Sequence, residues 1–420
     1  MTNGGTPQIA IIGGGLAGLA CAVHLRKAGI PFQIFEASAT LGGRVATDVV
    51  EGYRLDRGFQ VLLTSYQEAQ RMLQFDDLSL RKFMPGAMIR HNGAFHKVVD
   101  PFREPQSAVE TVASKVGTLT DKLLIAKLNM FNCDYAPNDY KRSNITTIDE
   151  LRGIGFSSEF INAFFRPFFG GIFLEDKLDT NAAMFRYLFK MFSTGHAALP
   201  AAGMRAIAAQ LAAQLSPADY RLNSPVQAIT DFGIALASGE KFTASRVVIA
   251  TDWRAAAKIL GREPLRESRA VTCLYFKANQ IPSDAPILYL NGEPNGIINN
   301  LCFPTTIAST YAPAHQHLVS ATVLGSPRQP DGELQATVHG ELVRWFGDVA
   351  MSWQHLRTYR IPDALPDQSA GVHNDFQDHR LGEHLFICGD YTENASINGA
   401  LLSGRRAAES LISSLHSSAA

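Results

Sequence analysis

Three features of the sequence predict an α/β fold. A short apolar run, "QIAII" from residue 8, breaks into "GGGLAG" and resumes as an alanine- and leucine-rich segment. A second apolar run, "FQIFE", ends on an acidic residue at position 36. Near the C-terminus a third run, "LFIC", is closed by "GD" and followed by a helix-like stretch. Strand, glycine turn, helix and strand in that order build parallel β-α-β units, not antiparallel meanders. The 420 residues allow one large or two to three ordinary domains, and 46% hydrophobic residues are enough for a sizeable core. A net charge of −1 gives no electrostatic reason to expect nucleic acid or a strongly anionic membrane as partner.

"QIAII" reads as a buried strand. Gly13, Gly15 and Gly18 then match G-x-G-x-x-G. Gly13 permits the tight turn, Gly15 lets backbone approach a pyrophosphate, and Gly18 lets helix and strand pack closely. The helix begins at Leu16 and Ala17, whose unpaired N–H groups and partial positive charge suit phosphates. Gly29 is its expected stop. "FQIFE" is the second strand. Glu36, followed by Ala37, lies 18 residues after Gly18, near the spacing for a carboxylate that accepts ribose hydroxyls. At this point NAD and FAD both fit.

"LGGR" follows directly, and with it the chain resembles the flavoprotein superfamily of amine oxidases, protoporphyrinogen oxidases and carotenoid (phytoene-type) desaturases. The resemblance implies FAD, expected to be non-covalent because nothing like the segment that attaches flavin to cysteine is evident and Cys388 lies in the strand before Gly389. It also implies that Gly42, Gly43 and Arg44 lie against the phosphate and ribityl region. "LDRGFQV" is similar to the superfamily segment whose backbone meets the isoalloxazine ring, which points to Gly58, Phe59, Gln60 and Val61. The C-terminal "LFICGDYTENASINGALLSGRRAAESL" is similar to the segment that closes the cofactor site. It implies that Gly389 and Asp390 bind the cofactor and that Ser396, Ile397, Asn398 and Ala400 lie near the ring. A helix N-terminus there would stabilise negative charge on reduced flavin. Residues 221–252 read as a β-meander, and the resemblance puts the backbone of Val226 against the adenine. The implied architecture is a Rossmann-like FAD-binding domain (1–80, 195–265 and 380–420). An inserted α+β substrate domain (81–194 and 266–379) interrupts it.

Residues 156–192 hold ten of the 25 Phe. Phe156, Phe160, Phe164 and Phe168 share one helix face, and Phe165 and Phe169 widen it. This face reads either as a core stripe or as the aromatic wall of an apolar cavity. Pro167 and Gly170–Gly171 are expected to break or bend the chain. His196 is the histidine best placed for a site. The superfamily's amine oxidases usually carry a lysine near flavin N5. Here that position falls at Val271 or Thr272, and Lys277 lies six residues beyond Val271. Many members carry an aromatic residue where this chain has Ser396.

The resemblance therefore implies an FAD-dependent oxidoreductase that desaturates or dehydrogenates an apolar substrate (isoprenoid, carotenoid or porphyrinogen-like) by hydride transfer to N5. A flavin amine oxidase is the alternative, and a non-enzymatic partner protein of the same fold the second. The five cysteines, Cys21, Cys133, Cys273, Cys302 and Cys388, form no CxxC pair, which argues against a disulfide framework or zinc. No metal site and no catalytic acid or base emerges. With no secretory pattern at the N-terminus, a cytoplasmic protein is expected. Amphipathic patches near 120–135 and 156–173 leave peripheral membrane contact open. The electron acceptor and oligomeric state are not encoded in any motif.

Overall fold

The computed structural model describes residues 9–100, 103–131, 144–264, 267–372 and 378–419. Cys133 and the part of the 120–135 patch beyond residue 131 lie outside the described residues. The expected opening unit is present as β1 (Ile9–Ile12), α1 (Leu16–Lys27) and β2 (Phe32–Phe35). Three later strands join it: β3 (Tyr220–Arg221), β4 (Arg246–Ile249) and β5 (Leu385–Ile387). The sheet order is β3-β2-β1-β4-β5 and every pairing is parallel. Ile9 faces Phe32 on one side and Arg246 on the other. The strand order reverses between β1 and β4. In open α/β sheets, ligands bind beyond the carboxyl ends of the strands at such a point.

Helix α1 is apolar on nearly all sides because it is enclosed, with nine of its twelve residues buried. The C-terminal helix α2 (Ile397–Ala419) packs across it. Gly404 makes that approach possible. A Cβ there would lie 2.2 Å from the Ala17 carbonyl oxygen and 2.9 Å from the Cys21 nitrogen. Residues 226–243 form the expected antiparallel meander, after which β4 leaves it for the parallel sheet.

A separate seven-stranded mixed sheet takes its strands from 86–99 and 268–366, with Ser268–Ala278 between Gln354–Pro366 and His317–Leu324. The helix Asp331–Phe346 packs on one face of it, against Leu274, Phe276 and Val319, and the phenylalanine-rich segment packs on the other, beside Cys273, Leu290 and Cys302. The phenylalanine-rich segment runs helically from Ser158 to Phe173 without interruption, which corrects the expected break at Pro167 and Gly170–Gly171. A wider π turn over Ile161–Phe165 precedes Pro167 and displaces the carbonyls its ring would strike. The two glycines serve packing instead. A Cβ on Gly171 would lie 2.8 Å from the Asn299 amide nitrogen.

Candidate cofactor and substrate site

A cavity of about 910 Å³ starts beyond the carboxyl ends of β1 and β4 and runs into the phenylalanine-rich region. Nineteen of the 21 residues assigned to the cofactor from sequence line it; Gly18 and Asn398 do not. Gly18 packs instead, since a Cβ there would lie 2.0 Å from the Gly13 carbonyl oxygen. Asn398 turns away from the expected ring position. Its Oδ1 accepts from the Glu68 backbone N–H at 2.8 Å, which ties α2 to the helix at Gln67–Met72.

At the glycine turn, Gly13 has φ +107° and a Cβ there would lie 2.7 Å from the Ala250 carbonyl oxygen. Gly15 behaves differently. A Cβ on it would meet nothing nearer than the Gly43 Cα at 4.0 Å, so it would stand in the cavity. Gly15 and Gly43 thus present bare backbone to each other beside the first turn of α1. That is the cradle a pyrophosphate needs, and the residues present fit a dinucleotide. Glu36 is held at the far end of β2. Its Oε2 accepts from the Gly14 N–H at 2.7 Å and its Oε1 from the Ser38 N–H at 2.8 Å. One lone-pair position on each oxygen remains for ribose hydroxyls.

Arg44 is clamped. Nη2 pairs with Asp390 Oδ1 at 2.7 Å, Nη1 donates to the Ala364 carbonyl at 2.8 Å, and the guanidinium lies 5.8 Å from the Trp253 ring centre. Burial opposes the Arg44 charge, but the Asp390 carboxylate outweighs it and raises the pKa above its usual value. Asp390 follows β5, and the preceding Gly389 N–H donates to Ser403 Oγ of α2 at 3.0 Å. Ser396 caps α2 by accepting from the Gly399 N–H at 2.9 Å, so that helix end opens on the cavity through Ser396, Ile397 and Ala400.

The strand Tyr53–Asp56 delivers Gly58–Val61 to the wall. Asp56 anchors it. Its carboxylate accepts from Thr47 Oγ1, the Met204 N–H and the Tyr311 hydroxyl, at 2.5, 3.0 and 2.8 Å. Burial still pushes its pKa up to about 6.

The phenylalanine helix serves both functions expected of it. Phe160, Phe164, Phe168 and Phe169 line the cavity, whereas Phe165 packs on Phe156 and Phe185 in the core. Sequence reasoning missed the opposite wall, Phe189 and Phe192 on the helix Ala182–Thr194. Phe192 meets Phe168 edge-on at 5.2 Å. It also missed Asp100 and Arg103, which line the same end with His196. Val271 lines the cavity and Thr272 does not; Thr272 Oγ1 donates to the Gly325 carbonyl. Lys277 lies off the cavity, its ammonium 2.8 Å from Glu51. No lysine lines the cavity among the described residues.

Cys21, Cys273, Cys302 and Cys388 are all buried outside the cavity, and burial raises each thiol pKa, that of Cys21 to about 12. Among the described residues no acidic or sulfur cluster could hold a metal, and no helix is long and apolar enough to cross a membrane.

A dinucleotide cradle at a parallel-sheet switch point, continuous with an apolar chamber, defines the class of a nucleotide-cofactor protein. The chain belongs to the family described as "Flavin containing amine oxidoreductase", whose profile matches residues 16–412. It is 24% identical over 169 residues to protoporphyrinogen oxidase 2, chloroplastic/mitochondrial, of Arabidopsis thaliana, a match covering 40% of this chain and 33% of that one. It is 27% identical over 209 residues to the carotenoid phi-ring synthase of Streptomyces griseus, covering 46% of this chain and 40% of that one. The chain therefore matches well under half the length of these curated relatives. The solved structure of cyclohexylamine oxidase from Brevibacterium oxydans IH-35A superposes with a TM-score of 0.74 at 15% identity, covering 98% of this chain and 100% of that one. The expected fold class and family are both borne out.

Proposed function

We propose that this chain is an FAD-dependent oxidoreductase that dehydrogenates an apolar substrate, with FAD bound non-covalently. One observation carries the reading: a single cavity joins the glycine cradle at Gly15 and Gly43 to walls of phenylalanine. Bound FAD supplies a hydride acceptor at N5. The chain's own residues supply the rest. Gly15, Leu16 and Ala17 offer N–H groups to phosphate, Glu36 takes the ribose, and Arg44 with Asp390 holds the middle of the cofactor. The helix end at Ser396–Ile397 favours negative charge beside it. Phe164, Phe168, Phe189 and Phe192 exclude water and hold the substrate by its apolar surface.

In this reading residues 1–80, 195–265 and 380–420 form the FAD domain, and 81–194 and 266–379 the substrate domain. The absence of a cavity lysine among the described residues, with valine at 271, favours dehydrogenation of an apolar molecule over amine oxidation. The buried cysteines favour a non-covalent flavin. The test is anaerobic bleaching of the flavin by candidate substrates. Isoprenoids or porphyrinogens should bleach it, and simple amines should not. Bleaching by amines alone would return the chain to the amine oxidases.

A further inference from the structure

The end of the cavity lined by Phe168 and Phe192 carries a polar corner built from residues outside the set assigned to the cofactor. Arg103 and His196 both line it. Arg103 Nη1 donates to the Phe192 carbonyl at 2.8 Å, and Nη2 lies 2.8 Å from His196 Nδ1. A guanidinium has only donors. Nδ1 therefore accepts, and the ring proton sits on Nε2. Burial, then Arg103 and Lys82, lower the His196 pKa, with Glu104 acting in the other direction, so the ring is neutral at pH 7. Nε2 has no partner among the described residues, and it is not a sealed atom. Asp100 lines the same end and Glu104 adjoins Arg103, yet no carboxylate of a described residue comes within 4.0 Å of the guanidinium. Beside the Asp100 carboxylate, the Arg103–His196 pair thus presents donors, in a chamber walled nearby by Phe164, Phe168 and Phe192.

We propose that Arg103 and His196 determine substrate specificity by taking a carboxylate carried on an otherwise apolar substrate. The proposal deepens the dehydrogenase reading and rests on it for which end of the cavity the substrate fills. A carboxylate brings two ionised acceptors and no donor, which matches remaining guanidinium N–H groups together with Nε2–H. An ester or alcohol of the same length keeps the apolar contacts but lacks the charge. Apolar walls strengthen the charged contact, because water does not screen it there.

The test is isothermal titration calorimetry at pH 7.5 on the full chain, with FAD added and without it. The probes are dodecanoic acid, its methyl ester and dodecanol. FAD affinity and melting temperature are measured separately for every variant. The acid should bind at least about tenfold more tightly than the ester or the alcohol. Arg103→Met should erase that preference with FAD affinity unchanged. His196→Leu should reduce it. His196→Gln, which keeps an acceptor for Arg103 and an N–H for the ligand, should restore most of it. Equal binding of acid and ester, an undiminished preference in Arg103→Met, or no binding of any probe would overturn the proposal. A chain that prefers the acid but takes up no FAD would overturn the flavin reading and leave the carboxylate site standing.

Discussion

Replacing Glu36 by Ala probes the nucleotide site at the carboxylate assigned to the ribose. The carboxylate is fixed by the Gly14 and Ser38 N–H groups at 2.7 and 2.8 Å, and it lines the cavity. Each oxygen has one lone-pair position left, enough for two ribose hydroxyls. A charge-assisted hydrogen bond is worth roughly 1.5–3 kcal/mol. Two of them at the lower figure give about 3 kcal/mol, or about 150-fold in affinity. Gln is not a conservative replacement, because its NH₂ group would face one of the two fixed N–H donors. Both variants should therefore weaken FAD binding. Titration of apoprotein with FAD, followed by quenching of flavin fluorescence, reads the change. Water entering the space vacated by the carboxylate, which borders the cavity, can take over the Gly14 and Ser38 N–H groups, so apoprotein stability should fall by no more than about 1 kcal/mol. A variant that melts like the parent and binds FAD within about threefold of it would refute the ribose assignment.

Lys277→Met should leave the rate of flavin reduction by substrate within about threefold, since Lys277 pairs with Glu51 away from the cavity; a loss near 10²-fold in stopped-flow reduction would give it a catalytic proton role. Asp56 makes stability pH-dependent. Its folded pKa of about 6 lies above the ordinary 3.8, so the folded state holds a proton that the unfolded chain has released. That stabilisation is complete below pH 4 and is lost as pH rises through 6. Between pH 5 and pH 7.5 it amounts to about 1.4 kcal/mol, which urea melts of the parent should show and Asp56→Asn should flatten; equal slopes would remove the site from the account. Gly404→Ala puts a Cβ 2.2 Å from the Ala17 carbonyl oxygen and must force α1 and α2 apart. A loss of about 2–3 kcal/mol is expected in the same assay, and parental stability would mean the helices yield freely.

The nucleotide half was legible because backbone geometry writes itself into residue type. Gly13 and Gly15 stand where a turn and a close approach exclude side chains, and Glu36 closes a strand of fixed length. The phenylalanine helix was legible as a face but not as a surface. Spacing places Phe164 and Phe168 together, and only tertiary packing decides that they look into a cavity while Phe165 looks into the core. Pro167 misled because a π turn, invisible in the sequence, lets the helix carry it. Lys277 could not be placed by parity. Six residues beyond Val271 is about 20 Å along a strand, far enough to leave the cavity altogether. Asn398 sits in the right segment but is held by Glu68, a partner 330 residues away in sequence. Arg103 carries no motif. It meets His196, 93 residues later, only because the strand Ala197–Pro200 pairs with Leu80–Lys82 and brings the two chain segments together.

The most direct test of the central claim is the visible spectrum of the purified protein, repeated on the supernatant after acid precipitation. Flavin bands that pass wholly into the supernatant, identified there as FAD, are the expected result. Colour that stays in the pellet would contradict the non-covalent assignment. No flavin bands even after addition of FAD would contradict the cofactor itself.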